Sequence, residues 1–207
     1  MPENLHKLFV ISSPSGGGKT SLINKLFEDS RSSNFKKSIS DTTRQKREGD
    51  IEGKDYYFLS EKDFKEKIQK EEYVEYAIVF GNLYGTSKEE VKMKFKSSNL
   101  VLELDWQGAY ALKKLYDDAQ LIFLVPPSLE DLKKRLFKRN LDTPESIENR
   151  LSEAKKEIDK SEIYDFLVLN DDFDKAYEDI TKILFEGITT SDFNSRVSKD
   201  LIKRLVE

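Results

Sequence analysis

Three glycines closed by a lysine and a threonine, Gly16-Gly17-Gly18-Lys19-Thr20, stand between a short apolar run at 7–11 and a segment, 19–27, with Leu22, Ile23, Leu26 and Phe27 at helical intervals. This reads as strand, glycine loop, helix. In that order the backbone N–H groups of the loop converge where the helix dipole favours negative charge, so the natural occupant is the phosphate chain of a nucleoside triphosphate. Lys19 is placed to reach the β and γ phosphates as a point charge, and the Thr20 hydroxyl to coordinate Mg²⁺. The full P-loop segment, Ser13-Pro14-Ser15-Gly16-Gly17-Gly18-Lys19-Thr20, departs from the strict Walker A pattern at its first position, where Ser13 stands in place of glycine. The competing reading, a flexible glycine turn, leaves the strand before it and the helix after it as coincidence.

The rest of the chain extends the same architecture. Apolar runs at 100–104, 121–125 and 166–169 have the length of buried strands and are separated by helical stretches, the alternation of an α/β fold with a parallel sheet flanked by helices. The run at 100–104 leads into Asp105, with Glu103 two residues earlier, a Walker B arrangement in which either acid is a candidate to hold Mg²⁺ through water. The alternative is that Asp105 caps a helix starting near Gln107. Between 34 and 84 the pieces 56–59 and 73–80 and a turn at Gly81-Asn82 read as a small β-rich insertion. From 128 to 161 the sequence is helical and cationic in its first half. It breaks at 140–144, where Thr143 before Pro144 has the form of an N-cap with proline at the first helical position. Two helices with such a joint suit a lid. A last helix, 195–206, collects Val197, Leu201, Ile202 and Leu205 on one face.

Composition bounds the function classes. Charged residues form 36% of 207 residues with a net charge of only −4, both signs interspersed, which makes nucleic acid a poor partner. There is no cysteine, and His6 is the one histidine, so thiolate chemistry and histidine metal sites are excluded. No apolar run reaches the length of a membrane span, and no targeting segment is apparent, so a cytoplasmic location is expected.

A second anion site is suggested by Ser40-Asp41-Thr42-Thr43-Arg44 with Arg47, two arginines three apart beside small hydroxyls. A solvated charge patch is the alternative. Tyr56 and Tyr84 are candidate phenolic donors to the same phosphate, or plain core and surface aromatics. Glu75, an acid between apolar residues on a predicted strand, is either the solvent side of that strand or a base-reading carboxylate. Guanine presents N1–H and an N2 amine as donors beside the O6 acceptor, which a carboxylate with a hydroxyl from Ser40 or Thr86 would match.

Together with Gly53-Lys54-Asp55-Tyr56, Tyr84-Gly85-Thr86 and Asp105-Trp106-Gln107-Gly108, these motifs, in this order and spacing from about residue 8 to 185, resemble the guanylate kinase family. The resemblance implies one domain in parts: a core of 1–33, 85–126 and 162–187, a GMP-binding subdomain at 34–84, a lid at 127–161 and a C-terminal helix at 195–206. It implies transfer of the γ-phosphoryl group of ATP to GMP, with dGMP as a further acceptor and Mg²⁺ as cofactor. Ser40, Arg44, Arg47, Tyr56, Glu75, Tyr84, Gly85, Thr86 and Asp105 would hold GMP. Residues Ser13 to Thr20 would hold ATP, with Asn170 near the adenine, and Arg135, Arg139 and Arg150 would close on the phosphates. Glu103 stands where an aspartate is common in the family, and Lys138 and Asn140 where glycines usually flank Arg139. The C-terminal helix resembles an extension of bacterial members and suggests a homo-oligomer. Two rival readings are a protein-binding module on the same fold and a kinase for another phosphate acceptor.

Overall fold

The computed structural model describes residues 6–79, 81–138 and 144–207. Its main sheet has five strands in the order β2 (Phe35–Lys37), β7 (Asn99–Glu103), β1 (Leu8–Ser12), β8 (Gln120–Val125), β9 (Phe166–Leu169). A second sheet has the order β4 (Tyr56–Phe58), β3 (Ser40–Thr42), β6 (Asn82–Ser87), β5 (Tyr73–Val79). The chain divides into two compact units, 1–9 with 34–119, and 10–33 with 120–207.

In the first unit β2 and β7 pair in parallel, with Phe35 opposite Asn99, while β5 and β6 form an antiparallel hairpin across Gly81. Two elements of the stretch 34–84 lie outside the small sheet: β2, and the helix α2 (Glu61–Gln69). Its start is written in the sequence, because the Ser60 hydroxyl accepts from the Asp63 N–H and donates to the Asp63 carboxylate. The helix α3 (Lys88–Phe95) begins in the same way, Ser87 accepting from Glu90 N–H. Removing either cap costs about 1 kcal/mol. Glu90 is itself buried, pairing with Lys94 and accepting from the Ile39 N–H. The unit's last helix, α4 (Trp106–Leu115), packs on β5.

In the second unit β8 and β9 run parallel, Ile122 opposite Phe166 and Val125 opposite Leu169. Both faces of β8 are buried, which is why 121–125 reads as a continuous apolar run without alternation. The helices α1 (Lys19–Glu28) and α7 (Phe173–Leu184) pack together, α5 (Leu129–Lys138) packs on α6 (Pro144–Asp159), and α6 on α8 (Lys199–Val206). Thr143, Arg139 and Asn140 lie outside the described residues, and α6 does begin at Pro144. Arg196 holds the segment before α8: its guanidinium donates to Asp171 at 2.6 Å and to the Leu169 carbonyl at 2.8 Å, and stands 3.4 Å from Asp179. Among the described residues no helix is long and apolar enough to cross a membrane.

Candidate active site

The phosphate loop leaves the buried strand β1 and turns at Pro14, whose carbonyl accepts from the Gly17 N–H at 2.8 Å and from the Ser13 hydroxyl at 3.1 Å. Gly18 occupies the N-cap of α1 at φ 91°, a left-handed conformation that disfavours any side chain. A cap without a side chain also supplies no acceptor of its own to the first N–H groups of α1, the groups that draw anions to a helix start. Lys19 and Thr20 are the first two residues of that helix, Thr20 exposed. Behind the loop Asn170 is 4% exposed, and its carboxamide donates to the Gly17 carbonyl at 2.6 Å. The Arg135 guanidinium donates to the Asn170 backbone carbonyl at 2.9 Å, and Arg150 donates to the Ser15 hydroxyl at 2.8 Å. Thus Arg135 on α5 and Arg150 on α6 are both brought to this loop.

The first unit assembles the other candidate residues in two clusters. In one, Glu75 on β5 is opposite Thr86 on β6, and the Thr86 and Ser40 hydroxyls lie 3.2 Å apart. Only 6% of Glu75 is exposed. The strand β5 turns Tyr73, Glu75 and Ala77 inward and leaves Tyr76 and Ile78 in solvent, so the reading of Glu75 as a solvent-side acid is corrected. Burial above all, with the charge of Asp105 adding to it and the hydrogen bonds from Thr86 opposing it, pushes the Glu75 carboxyl up to about 7. Asp105 is the N-cap of α4, accepting from the Gly108 N–H at 2.9 Å, so the helix-capping alternative describes its local geometry. Glu103 pairs with Lys37 at 2.5 Å.

In the other cluster the Arg44 guanidinium pairs with Asp50 at 2.9 Å and lies over the rings of Tyr56 and Phe58, 5.3 and 5.5 Å from their centroids. Tyr56 and Tyr84 meet edge-on at 5.7 Å. Burial raises the Tyr56 hydroxyl well above its usual range, with Glu103 and Tyr84 adding, so it remains a donor. Arg47 is exposed, its backbone N–H donating to Asp50 at 2.7 Å. Gly85 lies in the sheet opposite Asp41 and Tyr76. Asp50 is the residue missed from sequence. Burial works against its charge, but the Arg47 N–H and the Arg44 guanidinium outweigh it and hold the carboxyl below its ordinary value. An acid three residues after the second arginine was the available signal.

A buried acid beside the Thr86 hydroxyl, with the Ser40 hydroxyl next to Thr86, has the chemistry to take a planar group with adjacent donors, and an arginine held between a carboxylate and two aromatic rings has the chemistry to take an anion. The family model described as guanylate kinase matches residues 5–187. The chain belongs to the guanylate kinase family. Among its relatives, the guanylate kinase of Wolbachia sp. subsp. Brugia malayi (strain TRS) is 46% identical over 88% of this chain and 93% of its own. The guanylate kinase of Francisella tularensis subsp. tularensis (strain FSC 198) is 42% identical over 87% of this chain and 97% of its own. The crystal structure of guanylate kinase from Anaplasma phagocytophilum is similar at a TM-score of 0.73 and 34% identity, covering 89% of this chain and 87% of that one. Both clusters and the phosphate loop lie inside the guanylate kinase match, and α8 lies beyond it.

Proposed function

We propose that this guanylate kinase family member transfers the γ-phosphoryl group of ATP to GMP, giving ADP and GDP. The observation that carries the reading is the buried Glu75 beside Thr86 and within the field of Asp105, with the Ser40 hydroxyl 3.2 Å from that of Thr86. As a carboxylate, Glu75 accepts from N1–H and the N2 amine of guanine, with Asp105 a second acceptor and the Ser40 and Thr86 hydroxyls available to O6. Adenine has no N1–H and no N2 amine there, so it would leave the acid buried without donors. The GMP phosphate is assigned to Arg44, Arg47, Tyr56 and Tyr84, with Asp50 and the aromatic rings fixing Arg44 before the ligand arrives.

The second pKa of a phosphate monoester is near ~6, so GMP enters largely as a dianion and no side chain need remove a proton from it. What the protein supplies is alignment and charge. Loop N–H groups and Lys19 bind the triphosphate of ATP, and Arg135 and Arg150 on the lid helices, with Arg139, neutralise charge on the transferring group. The bond between the γ-phosphorus and the bridging oxygen breaks with its electrons staying on ADP, and the GMP phosphate oxygen forms the new bond.

Mg²⁺ is part of the proposal. Among the described residues no group of three or more His, Cys, Asp or Glu could hold a metal, and the donor offered is the Thr20 hydroxyl. One neutral oxygen suits an ion that keeps its waters and is carried mainly by phosphate oxygens. Bound there, Mg²⁺ would screen the charge of the β and γ phosphates. The site assignments leave the ribose 2′-hydroxyl unassigned, and dGMP is proposed as a second acceptor. A homo-oligomer and a cytoplasmic location rest on the resemblance to bacterial enzymes, and sedimentation tests the first.

The experiment is ADP formation from ATP and Mg²⁺ with GMP, AMP, CMP or UMP offered separately and a control without acceptor. Turnover with GMP far above the other three and above the control is expected. Equal rates with and without GMP would overturn the reading.

A further inference from the structure

Glycine is a poor choice for the third residue of a helix, yet Gly108 stands there in α4. It is not among the glycines held at positive φ, so the backbone itself would admit alanine, the better helix former. Its backbone has one clear task, the N–H donating to Asp105 Oδ1 at 2.9 Å, which any residue except proline performs. The constraint is in space. A Cβ added to Gly108 would fall 2.7 Å from Glu75 Oε2, 3.2 Å from Glu75 Cδ and 3.2 Å from Leu104 Cβ. The first distance is shorter than carbon and oxygen tolerate without movement, and the group that must move is a carboxylate already buried against Thr86.

We infer that Gly108 is a specificity-determining position, its missing side chain being what lets the Glu75 carboxylate stand between Thr86 and the capped start of α4 in the place where it reads the base. The inference rests on Glu75 as the base-reading acid. It adds that base recognition depends on a residue with no polar side chain. Gly108 thus serves both acids at once, holding Asp105 through its N–H and admitting Glu75 through its lack of Cβ. It is a positioning residue, since it acts through Glu75.

The test is a double-mutant cycle on the full chain, Gly108→Ala and Glu75→Asp singly and together, with KM for GMP, KM for ATP and the circular dichroism spectrum measured for each. Gly108→Ala is expected to keep the wild-type spectrum, to raise KM for GMP about tenfold and to leave KM for ATP within about twofold. Glu75→Asp shortens the acid by one methylene and makes the room that the added methyl needs. In the Gly108→Ala background it should therefore cost clearly less than in the wild type, so that the two effects do not multiply. Unchanged KM for GMP in Gly108→Ala would overturn the inference, and so would effects that multiply cleanly, or equal losses for GMP and ATP. If Gly108→Ala folds poorly, recovery in the double variant supports the inference and its absence contradicts it. Loss of GMP turnover in Glu75→Gln alone keeps the assignment of Glu75 standing whichever way the cycle falls, while no loss there removes both.

Discussion

The Asn170 carboxamide donates a 2.6 Å hydrogen bond to the carbonyl of Gly17, tying the residue after β9 to the middle of the phosphate loop. In a trans peptide the carbonyl and the following N–H point in opposite directions, so pinning the Gly17 carbonyl turns the Gly18 N–H the other way. A buried carboxamide in this place would brace the loop amides if they bind an anion. Asn170→Ala should raise KM for ATP by about 5- to 100-fold, the worth of a buried polar group left without its partner, and leave KM for GMP unchanged. Comparing ATP with GTP as donor separates this role from a contact to adenine. A brace weakens both donors equally, whereas a base contact changes their ratio.

Burial raises Glu75 to about 7, so if Glu75 reads guanine as a carboxylate, proton and GMP compete for it. As pH falls below about 7, KM for GMP should rise by about tenfold per unit, because only the ionised fraction binds, while KM for ATP stays level over the same range. Folding is linked to the same group with the opposite sense. An acid raised on folding from 4.5 to about 7 adds stability that is full below 4.5 and lost as pH rises through 7. The loss amounts to about 3 kcal/mol if the whole shift is expressed. Glu75→Gln should therefore melt higher than the wild type at pH 8 and not at pH 4.5, which thermal melts at the two pH values check. A variant that gains stability while losing GMP turnover marks a charge kept for function.

Arg150 donates to the Ser15 hydroxyl at 2.8 Å, so the helix α6 already touches the loop that would carry the triphosphate. If it stabilises the transferring group, Arg150→Ala should lower kcat by about 10²- to 10³-fold with smaller changes in either KM. Arg150→Lys keeps the charge and loses the fork, and should recover part of the rate. Steady-state kinetics with both substrates varied decide this. A rise in KM for ATP at constant kcat would instead make Arg150 a ground-state contact.

The phosphate loop could be read from the chain because its parts are local: an apolar strand, glycines and an amphipathic helix lie within twenty residues of one another. The strands β7 and β8 were equally plain, since strands buried on both faces are apolar without interruption, and β9 was apolar throughout although only Phe166 and Val168 are fully buried in it. Glu75 was not plain, because alternation says which residues share a face and not which face is inward. Here the apolar Tyr76 and Ile78 are the ones in solvent. Asp105 was undecided between a helix cap and an acid holding Mg²⁺ through water for a similar reason, as both roles place an aspartate at the end of a strand and the start of a helix. The helix α2 was passed over although Ser60 and Asp63 signal its start, its polar surface burying Phe64 and little else. The roles of Asp50 and Arg196 depend on what lies across a loop or beside another element, which spacing along the chain does not encode.

The most direct test of the account is the ratio of kcat/KM for GMP to that for AMP, measured in the wild type and in Glu75→Gln. A site that leaves a buried acid without donors when the wrong base enters should favour GMP by about 10⁴ or more, and the amide, which turns a donor toward guanine's own donors, should collapse that ratio through loss of GMP turnover. A wild-type ratio near one, or a Glu75→Gln ratio equal to that of the wild type, would contradict the claim that this chain selects guanine through Glu75.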